Sequence, residues 1–444
     1  MNDLLVDLIV GFLDSTMSFA DFVNHLNWNR TLDKASIEQT LTNLSHTNRT
    51  WSYYARLVLR RRVVVFDGAF GLRQYFRQGE SASQRPWVRE VYFAMKNRQG
   101  RRSLEHAARL LAHLFQTCPN VEELFIYTCF RSQVAPFVPV IRSLGDLHHL
   151  KALWLQHNYL HNTYRFAPNL SDFLVVLPKL QCLERLFIGR WEPYNFNEAV
   201  GAWRHYESSL NGGSDDDLNF SPPESLKTVS LTSLSYFGFL GGDPAAYSWL
   251  ISPAVAHNYV PTALAFDCED LDRPLNPIVG LTSGPKFFFE CAQHSMPFIS
   301  RLRLYNYAPD HTALLVNILE RCKALEHLSL ILQGWATREN RGLGVVLENE
   351  DPLLPFSMLP KSVRELHIHF ENVPHEWHRE HDLLRDRMLV HELEIAPQLK
   401  KVIISRAPLQ DDIGHLRTFE MTSNHCATMG IDLRVLDTLS PPLF

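Results

Sequence analysis

Five histidines crowd the segment "HIHFENVPHEWHREH", at His367, His369, His375, His378 and His381. Imidazoles grouped in this way invite a metal reading. The zinc-hydrolase signature H-E-x-x-H needs two histidines four apart on a helix, so that both reach one ion. In the second half of this segment the histidines are three apart, and the motif fails. His367 and His369 flank Ile368 with the period of two that a strand has, and they are expected to line its surface. The seven cysteines, Cys118, Cys129, Cys182, Cys268, Cys291, Cys322 and Cys426, contain no C-x-x-C pair. Scattered thiols, odd in number, read as those of a reduced intracellular protein, cytoplasmic or nuclear. Asp215 to Asp217 lack the glycine-containing pattern of a calcium loop. Phosphate-loop, nucleophile-elbow and dinucleotide fingerprints are all missing. No catalytic residue, metal or cofactor is therefore assigned, and the chain is expected not to be an enzyme.

Charge is uneven along the 444 residues. The first 115 hold 16 Lys and Arg against 10 Asp and Glu, and the remainder 27 against 38. The basic part is too mild to imply nucleic acid. Its densest point, Arg60, Arg61 and Arg62, lies at the end of an expected helix. Three consecutive helical positions point in three directions, and cations in a last turn suit the helix dipole. The triplet is read as a joint between elements. "MNDLLVDLIVGFL" is interrupted by Asp3 and Asp7 with no cation before it. It is a poor signal peptide and too short to cross a bilayer, so no membrane association is expected.

The elements that position these residues follow a repeat. Phe115, Cys118, Val121, Leu124 and Ile126 are spaced 3, 3, 3, 2. The same spacing returns in Leu144, Leu147, Leu150, Leu153, Leu155; in Leu177, Leu180, Leu183, Leu186, Ile188; and in Leu319, Cys322, Leu325, Leu328, Leu330. A generic α/β domain gives its strands no reason to share such a spacing. Looser copies centre on Val91, Val229, Leu264, Leu302, Leu366 and Val402. Each closing L-x-L alternates as a short strand, with helices such as "SLEHAARLLAHLFQTCPN" and "DHTALLVNILERCKAL" between strands. Neither element buries its apolar face alone, and stacked neighbours bury both. The expected fold is α/β: a leucine-rich-repeat solenoid, with a curved parallel sheet and outer helices, over 66–444. Polar inserts such as "NGGSDDDLNFSPPES" account for its irregular steps. Cys118 and Cys322 take leucine positions in it and are expected to be small core residues.

Residues 1–65 lie before the repeats. Asp3, Leu4, Leu5, Leu8 and Ile9, followed by Leu44, Ser45, Arg49 and Trp51, resemble the two halves of an F-box. "YYARLVLRRRVVVF" looks like the exit helix that runs into the first strand. The whole chain resembles an F-box/leucine-rich-repeat protein of the divergent fungal type. That resemblance implies a small all-α cap over 1–65, docking through Leu4, Leu5, Leu8, Ile9, Leu44 and Trp51 onto a Skp-family adaptor and cullin ligase core. The repeats would then hold an unknown protein substrate. Met1 at the motif's proline, and Thr47 and Asn48 at its Val and Cys, favour an alternative: a repeat scaffold whose degenerate F-box no longer binds the ligase. In either case the substrate is expected on the strand residues that alternate with the buried leucines, Phe125, Tyr127, Trp154, Gln156 and Phe187, the alternative being that the long inserts cover Phe125, Trp154 and Phe187. Trp191 would extend that surface, and Ser329 and Ile331 are expected to face solvent in the same way.

Overall fold

The computed structural model describes residues 49–65, 68–77, 85–96, 101–130, 138–159, 176–189, 236–240, 262–267, 295–307, 312–333, 356–371, 379–406 and 419–437, with Asn43 and His46. The chain is α/β and divides into two compact units, Met1–Val260 with Pro274–Ala292, and Pro261–Arg273 with Gln293–Phe444.

The first unit opens with helix α1 (Arg49–Arg61), which passes without a break into strand β1 (Arg62–Val65). Arg60 and Arg61 are exposed in the last helical turn, whereas Arg62 turns onto the sheet. There Arg62 lies 2.7 Å from Glu90 Oε2 and 5.5 Å from the centre of the Tyr92 ring. Then come α2 (Ala69–Arg77), β2 (Glu90–Lys96), α3 (Arg101–Thr117), β3 (Glu123–Phe130), α4 (Val138–Ser143), β4 (Ala152–Tyr159), β5 (Arg185–Gly189) and β6 (Tyr236–Leu240). Each strand pairs in parallel with the next in chain order. The second unit does the same with β7 (Ala263–Asp267), β8 (Arg301–Tyr307), β9 (His327–Gln333), β10 (Glu365–Glu371), β11 (Lys401–Arg406) and β12 (Asp432–Asp437). Its helices are α5 (Thr312–Arg321), α6 (Arg379–Ile395) and α7 (Glu420–Met429).

The spacing of 3, 3, 3, 2 has a direct physical origin. Leu147 N donates to Leu144 O and Leu150 N to Leu147 O; Leu180 to Leu177 and Leu183 to Leu180 repeat the pattern. The first bond of each pair closes a tight helix with three residues per turn and the second a turn of the same span, so residues three apart fall on one face. The chain then enters the strand, where the period becomes two. All five apolar residues of a unit consequently point the same way. Leu144, Leu147, Leu150, Leu153 and Leu155 are at most 2% exposed. Register carries this from strand to strand: Leu124 pairs with Leu153 and Leu153 with Leu186, while Leu302 pairs with Leu328 and Leu328 with Leu366. Ala107, Ala108, Leu111, Leu114 and Phe115 form the buried stripe of α3, and Leu315, Ile318 and Leu319 that of α5. Cys118 and Cys322 are fully buried within the same layer. Burial pushes both thiols up, Cys322 to about 12.

Strand order is reinforced at the entrance to each strand. The carbonyl of the residue before a strand accepts two amides of the next unit. Arg89 O takes Glu122 N and Glu123 N, Glu122 O takes Lys151 N and Ala152 N, and Lys151 O takes Glu184 N and Arg185 N. Both lone pairs of each carbonyl are used. The same device recurs in the second unit at Thr262, Ser300, Glu326 and Arg364.

Three strands differ from expectation. Val229 and Leu231 were expected to form the strand beside β5. They lie outside the described residues, and β5 pairs with "YFGFL", which sets Leu186 against Phe237 and Ile188 against Phe239. Strand β12 follows β11, after α7 has ended at Gly430. Gly430 has φ +71°, the left-handed conformation that closes a helix and that glycine adopts without strain. Strand β1 lies within the sheet, so the boundary expected after residue 65 follows this strand in the chain while the sheet begins at Arg62.

Candidate binding face

Opposite the leucine layer, each unit has a second sheet face, and its composition differs between the two. In the first unit the register aligns Val64, Tyr92, Phe125, Trp154, Phe187 and Gly238 in one row. Tyr92 and Phe125 stack with centres 4.6 Å apart, and Trp154 and Phe187 stack at 3.9 Å. A charged row runs alongside, with Glu90 accepting from Arg62 and from the Tyr92 hydroxyl, and Arg185 donating to Glu123.

This row corrects an expectation. Phe125, Tyr127, Trp154 and Phe187 were expected to face solvent, and they are 4%, 3%, 7% and 1% exposed. Alternation along a strand determines which face a residue takes, and the residues of the other face are here buried as well. Ser329 and Ile331 in the second unit, at 2% and 1%, are corrected in the same way. Gln156 lies in β4, paired with Tyr127. Trp191 is outside the described residues.

Of the residues expected to dock the adaptor, Leu4, Leu5, Leu8, Ile9 and Leu44 are outside the described residues. Trp51 is in the first turn of α1 and half-buried. His375, His378 and Asp215 to Asp217 are also outside, and His381 is in α6. Among the described residues, no group of three or more His, Cys, Asp or Glu is placed to hold a metal ion.

The second unit collects polar groups on this face. Register sets Arg303, Ser329, His367 and Ile403 side by side on β8 to β11, and the next row holds Ile331, His369 and Ser405. Arg303, Ser329, His367, His369 and Ser405 are all at most 5% exposed. Ser405 Oγ lies 2.7 Å from His367 Nε2 and 2.8 Å from His369 Nδ1. A hydroxyl has one proton to donate. If it donates to one imidazole, the other ring must donate to it, so the two tautomers are coupled through Ser405. Burial first, then the positive charge of Arg303, pushes His367 down to about 3 and His369 to about 4. Both rings are thus neutral over the whole physiological range. Strand β8 has a register irregularity between Leu304 and Tyr307, beside this cluster, and bulges of this kind re-aim side chains.

Arg303 and Ser405 were not singled out from the sequence, and Ser329 only as a residue expected to face solvent. A signal was there: "RLRL", "HLSL" and "ELHI", aligned on their leucines, place Arg303, Ser329 and His367 in one column. Single polar residues in strands normally mark a solvent face, which is why the column was passed over. No family model matches the chain, and no curated protein matches it.

Proposed function

We propose that the chain is a non-catalytic substrate-recognition adaptor of a Skp/cullin/F-box type ubiquitin ligase, acting in the cytoplasm or nucleus. Residues 1–65 would be the F-box-like cap that docks a Skp-family adaptor. Residues 66–444 would be an irregular leucine-rich-repeat solenoid that holds a protein substrate. Such a protein makes and breaks no bond; it raises the local concentration of substrate beside a ubiquitin-charged enzyme.

The observation that carries the reading is the joint at Arg61 and Arg62. A helix bearing Trp51 runs directly into the first of a series of parallel strands taken in chain order, of which β4 and β5 are fed by the same tight leucine turn. Stacked units of this kind present long surfaces to protein partners. The buried aromatic row gives the first unit rigidity, and substrate contact falls to residues around it.

The test is capture of a Skp-family protein by the full chain. Leu8→Asp combined with Trp51→Ala abolishes capture while the circular dichroism of the repeats is retained. Capture unchanged by both substitutions turns the reading to the alternative, a repeat scaffold without a ligase.

A further inference from the structure

We propose that the second face of the second unit, at Arg303, Ser329, His367, His369 and Ser405, is a binding site for one compact oxyanion, a phosphoryl or carboxylate group. The site is independent of the ligase reading, since it needs no part of residues 1–65.

Four observations converge on it. The first is placement. Adjacent parallel strands are ~4.8 Å apart, so Arg303, Ser329 and His367 stand one strand apart in a single row. The short serine lies between two long side chains, each able to lean towards it. The second is an unspent donor: Ser329 Oγ is buried and has no hydrogen-bond partner. A hydroxyl in that condition is costly unless something completes it. The third is field. The charged groups that act on His367 are Arg303 and Lys401, with His369 as a further titratable neighbour, and Arg303 also acts on His369. Lys401 is paired with Glu365 at 2.9 Å, so the positive charge that a group beside these rings meets is that of Arg303. The fourth is donor chemistry. A guanidinium fork, the Ser329 hydroxyl and the one imidazole N–H that Ser405 does not take are donors suited to an oxyanion, and the fork matches two oxygens at once.

Burial limits the ligand. With every one of these side chains at most 5% exposed, the site excludes an extended peptide. It also sets selectivity. Desolvated donors bind an oxyanion well and leave a spherical halide undercoordinated. The structural alternative, a polar cluster that only fixes strand register, requires no ligand and gives no anion selectivity.

The experiment uses the full chain at pH 7 with ionic strength held constant by sodium chloride. Inorganic phosphate and sodium acetate are titrated separately, following thermal unfolding and heat of binding. A saturable rise in Tm with one of them is expected. Saturation by phosphate alone assigns a phosphoryl ligand, and saturation by acetate alone a carboxylate. Arg303→Lys, which replaces the fork by a point charge, abolishes the rise. Ser329→Ala, which removes one bond to a charged group, weakens it roughly tenfold or more. If Arg303→Lys fails to fold in chloride, Ser329→Ala decides alone. The site is refuted if neither anion stabilises beyond chloride, or if the titrations of Ser329→Ala match those of the parent chain.

Discussion

Acid should unfold the second unit through two residues. His367 and His369 are held neutral, at about 3 and about 4, whereas in the unfolded chain each returns to its ordinary 6.5. Below 6.5 the unfolded state therefore binds protons that the folded state refuses, and stability falls as pH falls, from 6.5 down towards the folded values. Their contribution is harmless at pH 7 and grows through mild acid. Between pH 7 and pH 5 the linkage amounts to about 2 kcal/mol for each imidazole and about 4 kcal/mol for the pair. With a urea dependence of ~2 kcal/mol per molar, the unfolding midpoint drops by ~2 M. The assay is urea unfolding at pH 7 and pH 5, for the parent chain and for His367→Gln combined with His369→Asn. Those amides place nitrogen near the Nε2 and Nδ1 positions that meet Ser405, and they do not titrate. Every other ionisable group is common to the two proteins and cancels in the comparison. The double variant should lose ~2 M less than its parent over this interval. Equal losses in the two proteins would mean that these imidazoles are not held neutral, and the reasoning fails.

Two further expectations concern packing. Asp386, on α6, is 4% exposed and accepts from Met421 N and Thr422 N, both at 2.8 Å, and from the Thr422 hydroxyl; it caps the start of α7 from another helix. Asp386→Ala should cost ~1–3 kcal/mol and speed amide exchange in 420–429, and Asp386→Asn should cost less. Trp154→Ala with Phe187→Ala removes two buried aromatics, each worth ~3–5 kcal/mol, and should abolish the near-ultraviolet circular dichroism of the first unit rather than leave a folded chain with altered partners.

Much of the fold was legible because one physical constraint wrote it repeatedly. Leu144, Leu147 and Leu150 fall three apart because their own amides and carbonyls bond at that spacing, and a hydrogen-bonding pattern of this kind leaves an apolar trace in the sequence. The trace misled where chemistry and pattern separated. "SLKTVSL" has the leucines, while the strand beside β5 is "YFGFL", which has phenylalanines at the register positions of Leu186 and Ile188. The leucine layer could be read from alternation, but the condition of the opposite face could not. Alternation says that Trp154 and Arg303 point away from the leucines and is silent on whether water or protein meets them. Both are buried, so the aromatic residues lose their role as exposed anchors and the polar ones gain a candidate role as a site. Asp386 left no local sign, because its partners lie 35 and 36 residues away.

The entrance residues of the first unit carry a sign as well as a hydrogen bond. Arg89, Glu122, Lys151 and Glu184 alternate, with Glu122 Oε1 3.4 Å from Arg89 and Glu122 Oε2 2.9 Å from Lys151. Each contact is weak by itself. Together they impose a parity on the array. Excising the unit that carries Glu122 would set Arg89 beside Lys151, cation against cation. Excising two successive units would set Arg89 beside Glu184 and restore attraction. In this stretch of chain, deleting one strand with its turn should therefore cost somewhat more than deleting two, a difference that paired in-frame deletions would read as Tm.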